Sequence, residues 1–186
     1  VHHPKTDLSV CLSEDMFILP SASIIRKSAF DMIGGFDERL SGYEDDDLFL
    51  RLFSAGWKNV YINRSLSAWR MYSDSTSYSE TMLRSRRYYW EKLYSLYHDN
   101  PDKGEHYVRD YIAPRFFHYG LIEYWRGIII NDYKLCNESL IDMEKYIRFY
   151  NPGFMTKLKL YIKKFPLFCR FIFVMRNIFK LKKKND

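Results

Sequence analysis

The chain of 186 residues is 47% apolar and 28% charged. These fractions exclude an intrinsically disordered chain, which would be poorer in apolar residues, and a collagen-like repeat, which would be about one-third glycine. The net charge of +6 is uneven, because residues 154–186 hold ten of the 29 Lys and Arg residues but one of the 23 Asp and Glu residues. The body is therefore mildly acidic and the tail strongly basic, so the charge does not indicate a nucleic-acid partner.

The first 78 residues predict an α/β unit, because short apolar runs alternate with helical patterns. Its expected elements, in chain order, are a buried strand over 16–25, a short helix over 28–33, an amphipathic helix over 44–55, and strands over 60–62 and 66–72. Pro20 interrupts the first strand, and the pair Gly34-Gly35 ends the first helix.

From about residue 79 onward the pattern predicts helices alone. They are expected over 79–98, 104–130, 132–150 and 154–182, with Pro166 inside the last. The expected fold class is thus α/β, as a partial domain followed by an α-helical C-terminal extension. We divide the chain into an α/β part over 1–78, a helical extension over 79–153 and a basic amphipathic tail over 154–186.

The three cysteines, Cys11, Cys136 and Cys169, are odd in number and far apart in the sequence. This pattern argues against a disulfide framework and a zinc site, and it favours a reducing compartment. No window of about 18 uninterrupted apolar residues predicts a membrane-spanning helix. The chain begins without an initiator Met or a secretory signal, which suggests a fragment.

The densest chemical signal is the acidic run Glu44-Asp45-Asp46-Asp47, at the predicted start of a helix. One interpretation is helix capping, because carboxylates in a first turn satisfy free N–H groups and the positive end of the helix dipole. Four adjacent carboxylates also repel one another, which raises the pKa of some of them. The functional interpretations are a general base beside an acceptor hydroxyl and ligation of a hard divalent cation.

The neighbouring sequence favours the general base. Residues 33–40 read Ile-Gly-Gly-Phe-Asp-Glu-Arg-Leu, and residues 42–51 read Gly-Tyr-Glu-Asp-Asp-Asp-Leu-Phe-Leu-Arg. With these motifs, residues 16–79 resemble the second half of the catalytic domain of bacterial family 2 glycosyltransferases, which have the GT-A fold. The resemblance implies an inverting transfer of a sugar from a nucleotide-sugar donor to a hydroxyl of a glycan or lipid-linked acceptor, in the biosynthesis of surface polysaccharide.

The same resemblance implies roles for the acidic run. Asp45 falls on the general base of the family, and Glu44 orients the acceptor or the base. Asp47 caps the helix or holds Arg51, one turn later. The acceptor side is expected at Tyr43, Asp46 and Trp69.

On the donor side, the resemblance places the sugar or its diphosphate near Ser21, Ser23, Arg70, Ser75 and Ser77. Two alternatives stay open, since Arg70 could instead pair with an acid of the run and the first two serines could be ordinary strand residues. The metal-binding His of many relatives is absent, so no metal ligand is assigned. The resemblance implies a divalent cation, Mg²⁺ or Mn²⁺, held mainly by a preceding nucleotide-binding half, without which the isolated chain would be inactive.

The tail over 154–186 interleaves large apolar side chains with ten cations. That composition is typical of a helix that lies on an anionic membrane, and the alternative is a helix that packs on the domain with its lysines outward. We expect a cytoplasmic protein, peripheral on the inner face of the cell membrane. The competing function is a non-catalytic glycan- or partner-binding module that keeps the GT-A half-fold.

Overall fold

The computed structural model describes residues 5–64, 68, 80–150 and 152–174. The chain divides into two compact units, one ending at Tyr107 and the other beginning at Val108. Every regular element in these described ranges is helical, so the expected α/β class is wrong for this part of the chain. The division into 1–78, 79–153 and 154–186 stays a prediction.

The predicted strands fail for a physical reason. An apolar extended segment becomes a strand only when a neighbouring segment satisfies its backbone groups. Residues 60–62 have no such partner in the described ranges, and Val60 is 89% exposed. Residues 16–25 contain instead the 3₁₀ turn Pro20–Ala22. Apart from residue 68, the predicted strand over 66–72 lies outside the described residues.

The first unit contains the helices α1 (Leu8–Ser13), α2 (Lys27–Met32), α3 (Glu44–Ser54) and α4 (Glu80–Leu96). The last three confirm predicted helices to within a few residues. Helix α1 was not predicted; its N-cap is Asp7, whose carboxylate accepts a hydrogen bond from Ser9 N at 2.7 Å. Gly34 and Gly35 follow the end of α2 with positive φ angles of 78° and 73°, a backbone conformation that favours glycine.

The core of the first unit lies between α1, α3 and α4. Its fully buried side chains share an apolar or aromatic character and are Leu12, Leu48, Leu50, Tyr89, Trp90 and Leu93. Tyr89 and Leu93 of α4 are buried in this core, whereas Leu96 is 55% exposed at the end of the helix. Packing in this core therefore holds α4 beside the acidic first turn of α3.

The second unit begins with the π-helical turn Val108–Ile112 and continues as α5 (Ala113–Ile130), α6 (Tyr133–Tyr146) and α7 (Phe154–Lys163). Pro114 lies in the first turn of α5, directly after the π-helical turn. Gly120 and Gly127 let α5 approach α6 closely. A Cβ at Gly127 would lie 2.7 Å from Cys136 Sγ and 2.9 Å from the carbonyl oxygen of Asp132.

The predicted helix over 154–182 is broken near its middle. Helix α7 ends at Lys163, and a second helical segment begins at Pro166 and continues through residue 174, where this described range ends. Proline disfavours the helical conformation in the residue before it, which explains the break. None of the described helices is long and apolar enough to span a bilayer.

Candidate functional site

The acidic run occupies the first turn of α3, and Tyr43 precedes it in the left-handed conformation, with φ 66° and ψ 9°. This backbone region costs a non-glycine residue roughly 1 kcal/mol or more. Side-chain contacts compensate for the strain. The Tyr43 ring stacks on Tyr89 with 5.5 Å between centroids, and its hydroxyl accepts a hydrogen bond from Arg86 Nε at 2.8 Å. Contacts from α4 therefore hold Tyr43, whose backbone conformation orients the acidic run.

Asp46 points into the core and is 4% exposed. Its carboxylate accepts hydrogen bonds from Met16 N at 2.5 Å and from the Tyr89 hydroxyl at 2.7 Å. Asp46 thereby ties the segment that precedes α2 to helix α4. Its expected place on the acceptor side stays a prediction, and the structure adds an architectural role that the sequence did not indicate.

Asp47 is equally buried, at 2% exposure, and it pairs with Arg51 as predicted. The Nε and Nη2 atoms of Arg51 lie 2.8 and 2.7 Å from Asp47 Oδ2. The same guanidinium donates to the carbonyl oxygens of Ile33 and Gly35, each at 2.7 Å. Arg51 therefore joins the glycine turn to the helix that carries the acidic run.

Lys92 of α4 is a functional candidate that sequence reasoning missed. Its Nζ lies 2.6 Å from Asp47 Oδ1 and 2.8 Å from Asp37 Oδ2, so one cation links two motifs. Arg39 also pairs with Asp37, and Arg39 together with Lys92 holds the pKa of Asp37 well below its usual range. The spacing of three residues from Tyr89 to Lys92, on one face of a helix, is the sequence signal that could have indicated this contact.

Asp45 differs from the other aspartates of the run. Its side chain is half-buried, and its Oδ1 accepts a hydrogen bond from the N–H of Asp46 at 2.8 Å. Burial raises the pKa of Asp45 above its ordinary value, and the charges of Glu44 and Asp46 add to the increase. Within the described part of the chain, Asp45 forms no ion pair. A carboxylate of raised pKa without a cation beside it suits proton transfer.

Glu44 stands beside Asp45 and is also half-buried. Its Oε2 atom is buried and has no hydrogen-bond partner among the described residues. A buried carboxylate oxygen without a donor is unusual and costs free energy, so it indicates a position kept for a ligand or for a residue outside the described ranges.

The other predicted site residues are not brought to the acidic run by the described structure. Ser21 is exposed in the turn Pro20–Ala22, and Ser23 Oγ donates to the Pro20 carbonyl oxygen at 3.1 Å. Their alternative interpretation as strand serines is wrong, because no strand forms there. The remaining predicted residues lie outside the described ranges: Trp69, Arg70, Ser75 and Ser77. No described cluster of three or more His, Cys, Asp or Glu residues could hold a metal ion.

Residues 6–133 match a family model described as glycosyltransferase like family 2. Two curated proteins also match, both N-acetylglucosaminyl-diphospho-decaprenol L-rhamnosyltransferases, from the CDC 1551 / Oshkosh and ATCC 25618 / H37Rv strains of Mycobacterium tuberculosis. Each is 54% identical over 43 residues, which cover 23% of this chain and 14% of the relative. The match therefore spans a small part of each relative. No solved structure matches this chain.

Proposed function

Because this chain belongs to glycosyltransferase like family 2, we propose that it carries the acceptor-side machinery for transferring a sugar from a nucleotide-sugar donor to a hydroxyl group. The proposed acceptor is a growing glycan or a lipid-linked glycan of surface polysaccharide biosynthesis. The names of the two mycobacterial relatives support a lipid-linked acceptor, because those proteins act on a diphospho-decaprenol-linked sugar. The proposed place of reaction is the cytoplasmic face of the cell membrane.

Asp45 is the proposed general base. It would accept the proton of the acceptor hydroxyl while that oxygen attacks the anomeric carbon, and the bond from that carbon to the donor diphosphate would break on the opposite face. The configuration at the anomeric carbon inverts in this single displacement. The observation that carries the proposal is the contrast within the run: Asp46 and Asp47 are engaged in the interior, whereas Asp45 is half-buried, unpaired in the described structure and raised in pKa.

The roles proposed for the residues around Asp45 follow from the charge and hydrogen-bonding capacity of their side chains. Glu44 has one buried oxygen without a partner among the described residues, and this oxygen would accept a hydrogen bond from a second hydroxyl of the acceptor and hold it beside Asp45. Arg70 would stabilise the charge that develops on the leaving diphosphate, and Ser75 and Ser77 would donate to phosphate oxygens.

A divalent cation is proposed for the donor, where Mg²⁺ or Mn²⁺ would neutralise the leaving diphosphate. Asp46 and Asp47 do not fit such a site, because Asp46 is bonded to Met16 and Tyr89, and Asp47 to Arg51 and Lys92. The proton transfer proposed for Asp45 does not involve the cation.

The decisive experiment is Asp45→Asn, which keeps the shape of the side chain but removes the base. We expect transfer by the complete gene product to fall by about 10²-fold or more, with the donor KM little changed, because the base acts on the acceptor. Activity would be measured with a panel of nucleotide sugars and either Mg²⁺ or Mn²⁺. The control is Asp31→Asn, which removes an exposed carboxylate paired with Lys27 and should leave transfer unchanged.

Retained transfer in the Asp45→Asn protein would contradict the assignment of the base. If the folded protein turns over no donor yet binds glycan equally well with and without the substitution, the competing function is correct. That function is a non-catalytic glycan- or partner-binding module.

A further inference from the structure

The helical segment that begins at Pro166 turns large apolar side chains outward. Leu167 is 69% exposed, Phe168 53% and Phe171 61%. Tyr161 and Phe165, just before the segment, are 60% and 55% exposed. We name these five side chains the outward apolar face. Several large exposed apolar side chains within so short a stretch of chain are uncommon on a soluble domain and indicate a binding surface.

This face is not the side by which the tail packs on its own unit. The packed side is formed by Leu160 and Cys169, which are 7% and 3% exposed and join a core cluster with Tyr124 and Met143. Apolar residues therefore occupy both sides of the tail, whereas a helix that only covers a domain would place polar residues outward.

Lys163, a charged residue of the same tail, is buried, whereas apolar side chains of the tail are exposed. Lys163 is 8% exposed, and its Nζ lies 5.2 Å from the centroid of the Trp125 ring and 5.8 Å from that of Tyr124. The alternative expected from the sequence, a packed helix with its lysines outward, does not describe this residue. The described part of the second unit leaves the outward apolar face exposed.

The positive charge around the outward apolar face indicates which kind of partner it binds. Lys157 is exposed, and so is Lys164, which also pairs with Glu144 Oε1 at 2.8 Å. Arg170 is half-buried within the segment, and residues 175–186 add five Lys or Arg residues and one Asp. A second copy of this chain would bring the same positive charge to the contact, whereas an anionic lipid surface is complementary to it.

We propose that the outward apolar face docks on an anionic membrane surface. The Phe and Leu side chains would enter the boundary between headgroups and acyl chains, and the flanking cations would contact lipid phosphates. Only one part of this proposal rests on the proposed function, namely that the membrane also presents the lipid-linked acceptor. Docking itself is measurable without any sugar transfer.

The test is co-sedimentation of the 186-residue chain with vesicles of phosphatidylcholine alone or mixed with phosphatidylglycerol. We expect binding to the mixed vesicles and weaker binding at high salt, because salt screens the cations. The double variant Leu167→Gln with Phe171→Gln keeps the charge and should lower the partition coefficient by at least about tenfold. The matched control, Ile129→Gln with Ile141→Gln, changes two residues that are 60% and 65% exposed elsewhere in the unit and should bind normally.

Three results would overturn the proposal. The first is no binding of the unmodified chain to the mixed vesicles, and the second is unchanged sedimentation of the Leu167→Gln and Phe171→Gln protein. The third is a chain that self-associates without vesicles and becomes monomeric in that double variant, which would make a second copy the occupant. Far-UV circular dichroism of each variant would establish that the helices are retained.

Discussion

At the scale of single residues, the acidic run separates into carboxylates with different surroundings. Asp46 and Asp47 have polar partners in the interior, and Asp45 is left half-buried next to Glu44. The pKa of Asp45 is raised first by burial and then by its acidic neighbours. A base of raised pKa is stronger, but it loses its function at a higher pH when the solution is acidified.

This coupling gives a prediction for Glu44→Gln. Removing the Glu44 charge lowers the pKa of Asp45, so Asp45 stays ionised to a lower pH. We expect the acidic limb of the pH–rate profile to move to lower pH, together with a loss of maximal rate if Glu44 also holds the acceptor. An acidic limb that stays in place, measured beside the Asp31→Asn control, would show that Glu44 does not act on the base.

At the scale of elements, one face of α4 acts as the support of the site. Four side chains of this face contact residues 37–43 or the first turn of α3: Ser85, Arg86, Tyr89 and Lys92. The Ser85 hydroxyl accepts from Ser41 N at 2.9 Å. Three of these side chains are polar and largely buried, so they supply geometry as much as stability.

Lys92→Met tests this support, because methionine keeps much of the length and removes the charge. Asp37 and Asp47 would each lose Lys92 as a partner but keep an arginine. We therefore expect the free energy of unfolding to fall by about 2 kcal/mol, which is less than the cost of breaking a fully buried ion pair. The pKa of Asp37 is held low in the folded state, hence its ion pairs stabilise the fold above the ordinary carboxyl pKa. This stabilisation is lost as the pH falls through the folded value.

The difference between unmodified protein and the Lys92→Met variant should therefore be full near neutral pH and shrink in acid. Urea unfolding at several pH values would measure it. Lys58→Met, at an exposed lysine, is the control and should change stability little. A pH-independent difference would mean that lost packing, rather than lost ion pairs, explains the effect.

At the scale of the whole molecule, the second unit depends on the close contact of α5 with α6. Gly127→Ala would place a methyl group 2.7 Å from Cys136 Sγ and 2.9 Å from a backbone oxygen. We expect a destabilisation of about 1–3 kcal/mol despite the better helix propensity of alanine. Gly153→Ala, where a Cβ meets no neighbour, is the control for thermal unfolding and should be neutral. An equal effect of both substitutions would contradict the packing argument.

Sequence reasoning found what is local. The helix over 44–55, its four acids and the Asp47–Arg51 pair are encoded within one or two turns, and the structure confirms the helix and the pair. The strands were not predictable, because pairing depends on distant partners. The contacts of Lys92 and Tyr89 join residues more than 40 positions apart in the sequence. Only the three-residue spacing of these two side chains on α4 indicates that they share a face.

The order in which these contacts can form has a consequence during synthesis. The segment over 37–47 leaves the ribosome well before helix α4, since Asp46 is 43 residues ahead of Tyr89 and Asp37 is 55 residues ahead of Lys92. Until α4 has emerged, Tyr43 lacks the stacking on Tyr89 and the hydrogen bond from Arg86 that hold it in the structure. For a time, therefore, the nascent chain contains the proposed base without the contacts that orient it. The site is completed only when α4 packs against residues 37–47.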